Sequence, residues 1–169
     1  HPANTLSLHD ALPICPIEPG EFIPRFLDWR SGVPSAKSAL STIIYNSFGL
    51  HCHLLASISI NGLIKPINAF MQSSFPRPIN LWGSVHAPGS NKPPAWLVSQ
   101  GAGSVQDYNA QMKAGIDEVR TGRIVDGVTG WLDFYGMTDG AKSFDGTHYM
   151  YQVRTALLKR FMRAAGTCS

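Results

Sequence analysis

The sequence predicts an α/β fold in three layers, a parallel sheet with helices on both faces. Three observations lead there. Short runs rich in β-branched and aromatic residues recur at 39–46, 78–86 and within 125–135, the composition of strands buried inside a sheet. Helical periodicity follows the second and third of these runs, and a longer apolar segment at 54–72 stands between the first two; such alternation makes a parallel sheet. The polar clusters 49–53, 86–92 and 145–148 then fall at the carboxyl ends of the strands, where open parallel sheets hold their sites.

Residues 5–14 (TLSLHDALPI) resemble one reading frame of a widely used sequencing-library adapter. Residues 1–14 are therefore expected to be an artefact leader, and His9 and Asp10 carry no functional weight. The expected domain is 15–169. Its first part, 15–38, is rich in Pro, Gly and Ser around Phe22, Phe26, Leu27 and Trp29, and reads as an irregular packed segment. The strand at 39–46 (ALSTIIYN) is expected to be buried on both faces. Segment 54–72 has the length of a helix, but Gly62 and Pro66 predict a break or kink in it.

The second strand, 78–86, runs into a loop (APGSNKPP) that two prolines and a glycine keep irregular. Ser104 with Asp107 three residues on has capping-box spacing for a helix start. Val105, Tyr108, Met112, Ile116 and Val119 then form one apolar stripe, and Gly122 can end that helix. The third strand lies in the second half of 125–135. A polar loop is expected at 136–147. A final helix is expected from His148, with Tyr149, Val153, Leu157 and Phe161 on one face and Arg160 and Arg163 near its negative end.

Composition excludes several function classes. Hydrophobic residues make up 44% and charged residues 15%, too apolar for a disordered chain. The net charge of +3 is spread without a basic run, so no nucleic-acid partner is expected. The three cysteines, Cys15, Cys52 and Cys168, form no CxxC, so neither zinc nor redox chemistry is indicated. The longest apolar stretch, 54–64, is too short and too polar to span a bilayer. No cofactor and no metal are expected: a site from His51, His53 and His86 is disfavoured because His51 and His53 on an extended segment would face opposite ways.

The chemistry concentrates in Asp145-Gly146-Thr147-His148. A serine hydroxyl is a poor nucleophile near neutral pH and needs a base within hydrogen-bond reach. Histidine serves, and an aspartate fixes its tautomer and stabilises the imidazolium. A turn of this length lets Asp145 reach one ring nitrogen of His148 and leaves the other for substrate. The same tetrapeptide also fits a plain Asp-Gly turn in which Asp145 or Thr147 caps the last helix. The residues alone leave both readings open. Ser84, in G-S-V-H-A-P-G, does not fit a nucleophile elbow. Trp82 and Trp96 read as core tryptophans rather than sugar platforms.

SGNH hydrolases carry Asp-x-x-His just before their last helix, and 143–153 (SFDGTHYMYQV) resembles that element. Residues 46–54 (NSFGLHCHL) resemble the Asn-Ser-Gly-Leu-His-Asp-Leu block of PC-esterase-like and sialate O-acetyltransferase-like members. The pattern departs at Phe48, an extra residue, and at Cys52-His53, where one Asp is expected. The resemblance spans roughly 40–163. It implies a flavodoxin-like three-layer fold with Asp145 and His148 as the catalytic pair. It places Gly49 at the glycine and His51 at the oxyanion-donor position, with Asn46 a second donor and His86 a pocket residue.

The serine of such enzymes lies in a Gly-Asp-Ser block, and none occurs in 15–39. The resemblance therefore implies that 15–169 is the C-terminal portion of one domain, truncated at its N-terminus and inactive alone. The implied function is an ester hydrolase or O-acyltransferase acting on acylated carbohydrate or lipid. The alternative is a non-catalytic carbohydrate-binding or interaction module on the same fold. The resemblance also implies a secreted or lumenal, membrane-attached setting.

Overall fold

Three parallel strands are ordered β1-β2-β3: β1 (Ile43–Asn46), β2 (Ile79–Gly83) and β3 (Val128–Leu132). The computed structural model describes residues 43–47, 49–50, 53–74, 79–121 and 128–164. Ile43 pairs with Ile79 and Ile79 with Val128, so the three strands start level. Their carboxyl ends therefore open on the same edge, as expected of consecutive parallel strands joined by helical crossovers.

The period of two along a strand divides the interior. Trp82 of β2 points into a cluster with Ala56, Leu63, Ile64, Ile67, Met71, Val85, Val105, Tyr108, Met112 and Ile116. Its neighbour Leu81 points the other way, into a cluster with Leu132, Phe134 and Leu157, flanked by Val153 and Phe161. The first cluster is built by α1 (Ala56–Ser59), α2 (Lys65–Ser74) and α4 (Ala102–Thr121). The second is closed by α6 (Tyr151–Ala164). The α4 stripe read from sequence faces inward, with Val105, Tyr108, Met112 and Ile116 almost wholly buried. Each such side chain contributes about 1.5–3 kcal/mol of transfer free energy. The finding is thus a mixed fold of helices and a small parallel sheet.

Segment 54–72 is helical, and the predicted break takes the form of a π-helical turn, Ile60–Ile64, between α1 and α2. The Lys65 amide reaches Ile60 O across this wider turn. Pro66 has no amide to donate and its ring crowds the carbonyl four residues back, at Gly62. The widened turn is where that conflict is absorbed.

Several boundaries differ from expectation. Helix α4 begins at Ala102 rather than after Ser104, because Gly101 is extended and its carbonyl accepts the Val105 amide at 3.0 Å. Ser104 lies exposed in the first turn. An unexpected helix, α3 (Pro94–Gln100), starts inside the proline-rich loop. Pro94 occupies its first position, where a missing amide costs nothing. Trp96 is on α3 and 56% exposed, not a core tryptophan, whereas Trp82 is in the core. A short helix α5 (Tyr135–Thr138) interrupts the expected loop at 136–147. The final helix starts at Tyr151, so His148 and Tyr149 precede it; Tyr149 is bridged to Ser143 instead. Tyr45 of β1 is 37% exposed, so that strand is not buried on both faces. The leader, 15–38, Gly122 and the three cysteines lie outside the described residues.

Candidate functional site

The loop after β2 is the platform of the site, and buried polar groups hold it. Ser84 Oγ accepts the amides of Phe134 (2.7 Å) and Tyr135 (2.8 Å), tying the start of the loop to the end of β3. With its hydroxyl buried and committed, Ser84 is not placed to act as a nucleophile. Asn109 on α4 donates to Val85 O and accepts from Val85 N, at 2.9 and 2.8 Å. Thr138 Oγ1 accepts the Ala87 amide at 2.9 Å and donates to Phe134 O at 2.8 Å. Each such bond nets about 1 kcal/mol, but leaving one of these buried amides unmatched costs about 1–3 kcal/mol.

The 145–148 turn docks on that platform. Gly89 N donates to Gly146 O at 2.9 Å, and Gly146 N donates to Ser143 Oγ at 3.1 Å. Ser143 Oγ is bonded in turn to Asn91, and the Tyr149 hydroxyl donates to Ala87 O. Gly146 has a left-handed φ of 86°, and a Cβ there would come within 2.3 Å of Lys92 Cα. Both the conformation and the approach require glycine.

Within this turn Asp145 gathers three donors. Its Oδ1 accepts the Thr147 amide at 2.9 Å and the His148 amide at 2.7 Å. Its Oδ2 lies 2.7 Å from His148 Nδ1. The His148 and Thr147 bonds hold the Asp145 carboxyl well below the usual carboxylate range, against a smaller opposing effect of desolvation. Asp145 caps no helix; it closes its own turn and holds the imidazole as well. The side chains are open to solvent, His148 at 69% and Asp145 at 45% exposure. With Nδ1 engaged, Nε2 is the nitrogen left for chemistry.

The other sequence candidates are placed as follows. Gly49 is buried with φ 152°, and a Cβ there would meet Val85 Cγ2 at 2.4 Å and Tyr108 Cε1 at 2.8 Å. It lets the loop after β1 press against the loop after β2. Asn46 ends β1 opposite Trp82, with its side chain outside the described residues. His51 lies outside them too. His53 is exposed on a left-handed turn (φ 51°) shared with Leu54 (φ 55°), so it does not sit on an extended segment. His86 is half-buried, its ring edge-on to Tyr149 at 5.6 Å and 6.0 Å from Phe134. Tyr149, the residue after His148, therefore links His86 to the end of the 145–148 turn.

A shallow groove between α4 and the end of β3 is lined by Gln106, Lys113, Trp131, Asp133 and Tyr135. Among the described residues no three His, Cys, Asp or Glu side chains are grouped to hold a metal. Among them, too, no helix is long and apolar enough to cross a membrane.

Asn91 and Lys92 fall in the 86–92 cluster that the sequence shows, but nothing in the sequence singles them out, nor Ser143 and Thr138, although these four carry the docking. Their partners lie about fifty residues away in the chain, so spacing gave no signal. Compared with protein-family models, curated proteins and solved structures, the chain matches none.

Proposed function

We propose that this chain carries the acid–base pair of a serine esterase or O-acyltransferase, on the three-layer arrangement of the SGNH fold. The observation that supports it most is the 2.7 Å contact between Asp145 Oδ2 and His148 Nδ1, reinforced by two amides on the same carboxylate. In this reading His148 Nε2 takes the proton of a serine hydroxyl as the oxygen attacks an acyl carbonyl. The imidazolium, stabilised by Asp145, returns that proton to the departing alcohol. Water or a sugar hydroxyl then resolves the acyl-serine, giving hydrolysis or transfer. The family resemblance assigns Gly49, with Asn46 or His51, to the oxyanion side and His86 to the acyl or sugar pocket. The substrate is an acylated carbohydrate or lipid, met in a secreted or lumenal compartment. The serine belongs to a block that 15–39 does not supply.

The test is twofold. Genomic sequence upstream of this chain should encode Gly-Asp-Ser after an apolar strand. In the protein translated from that gene, His148→Ala should abolish turnover of short-chain acyl esters. An intact rate in that variant removes the reading.

A second reading keeps the fold without catalysis, as a carbohydrate-binding module. It is favoured by Trp96, 56% exposed, and by Trp131 among the polar side chains of the α4–β3 groove. Absence of the upstream serine block, together with retention on an immobilised glycan that Trp131→Ala abolishes, would establish it.

A further inference from the structure

Lys92 lies between β2 and α3 and is only 6% exposed, while Lys65, Lys113, Lys142 and Lys159 are exposed. Lysine ordinarily keeps its head in water, because burying an ammonium is costly unless it is matched. Here Nζ donates to Thr147 Oγ1 at 2.9 Å. The Lys92 backbone is also the surface against which Gly146 closes, 2.3 Å from where a Cβ would stand. Head and backbone of one residue thus grip the two residues between Asp145 and His148.

We propose that Lys92 is a positioning residue for the Asp145–His148 pair, fixing Thr147 so that the turn keeps its amides on the carboxylate and placing a cation beside the pair. The role as positioner for catalysis rests on the esterase reading, whereas the clamp itself does not. Burial lowers the Lys92 pKa, and the nearby Asp145 charge raises it in part. Among the described residues, Asp145 is paired with His148 and interacts across the loop with the Lys92 ammonium. The neighbouring Tyr149 hydroxyl is turned to Ala87 O.

The experiment follows hydrogen exchange of the Thr147 and His148 amides by NMR in the full chain, in wild type, Lys92→Met and Lys92→Arg. Met keeps the stem and removes the charge. Lys92→Arg keeps a cationic donor for Thr147 Oγ1 and should leave exchange near the wild-type rate. Exchange of the Thr147 and His148 amides should speed by about threefold or more in Lys92→Met. Unchanged exchange in Lys92→Met overturns the proposal. If Lys92→Met does not fold, Thr147→Val removes the acceptor alone. Faster exchange at the His148 amide then supports the clamp and unchanged exchange overturns it. In the full-length enzyme Lys92→Met should lower kcat about tenfold with KM held. A wild-type parent with no esterase activity would remove the catalytic reading while amide exchange still decides the clamp.

Discussion

The platform after β2 and the turn that docks on it use polar groups in opposite ways. Ser84, Asn109 and Thr138 are buried, and each carries two or more hydrogen bonds to backbone 24 to 51 residues away or within its own turn. Asp145 and His148 are exposed and bonded to each other across three residues. The buried set fixes where loops lie, and its loss is felt as stability because unmatched amides have no water to turn to. The exposed pair adds little to stability, since solvent screens it and would replace its bonds. What it adds is the orientation of one imidazole.

That contrast can be broken by four measurements. If the proposed esterase reading holds, the largest effect is expected for His148→Ala in the protein translated from the whole gene: kcat should fall on the order of a thousandfold or more, with the melting temperature nearly unchanged. A fall in stability instead would place His148 with the structural set. Next, Ser84→Ala leaves the Phe134 and Tyr135 amides without their acceptor. Urea unfolding should show a loss of about 2–4 kcal/mol, and a loss near zero would mean that the platform is not held as described.

Gly146→Ala is smaller and sharper. Its Cβ would meet the Lys92 backbone at a left-handed φ, so about 1–3 kcal/mol should be lost. The His148 ring signal should also broaden or shift, because the turn cannot stay docked. The smallest effect is the pH dependence of Asp145. Its folded pKa lies below its unfolded value, so its stabilisation is complete above the unfolded value near about 3.9 and is lost as pH falls through the folded one. Asp145→Asn should therefore flatten the acid limb of melting temperature between about pH 5 and pH 2. An unchanged acid limb would detach Asp145 from its partners.

How far each feature could be read in advance depended on how local its cause is. The α4 stripe was legible because helix period and burial agree at Val105, Tyr108, Met112 and Ile116. The helix start is not where Ser104, with the right chemistry for a cap, would put it, because the chain uses the Gly101 carbonyl, one position before the first helical residue, to accept the Val105 amide. The last helix was begun too early because Tyr149 keeps the four-residue rhythm of Val153, Leu157 and Phe161. It is drawn out of that helix by its bridge to Ser143 and its hydroxyl contact with Ala87. Trp96 looked like core by residue type alone; its place on α3 leaves it in solvent.

Sequence by itself determined the alternation of strands and helices, the parallel sheet and the Asp-Gly-Thr-His turn, for these arise from periods and contacts within a few residues. Tertiary structure decided what surrounds that turn. Gly89 reaches Gly146, Lys92 reaches Thr147 and Ser84 reaches Phe134 only after the strands have aligned. A hydrogen bond between groups fifty positions apart leaves no periodic trace in the chain, because its geometry is set by every element that folds between them.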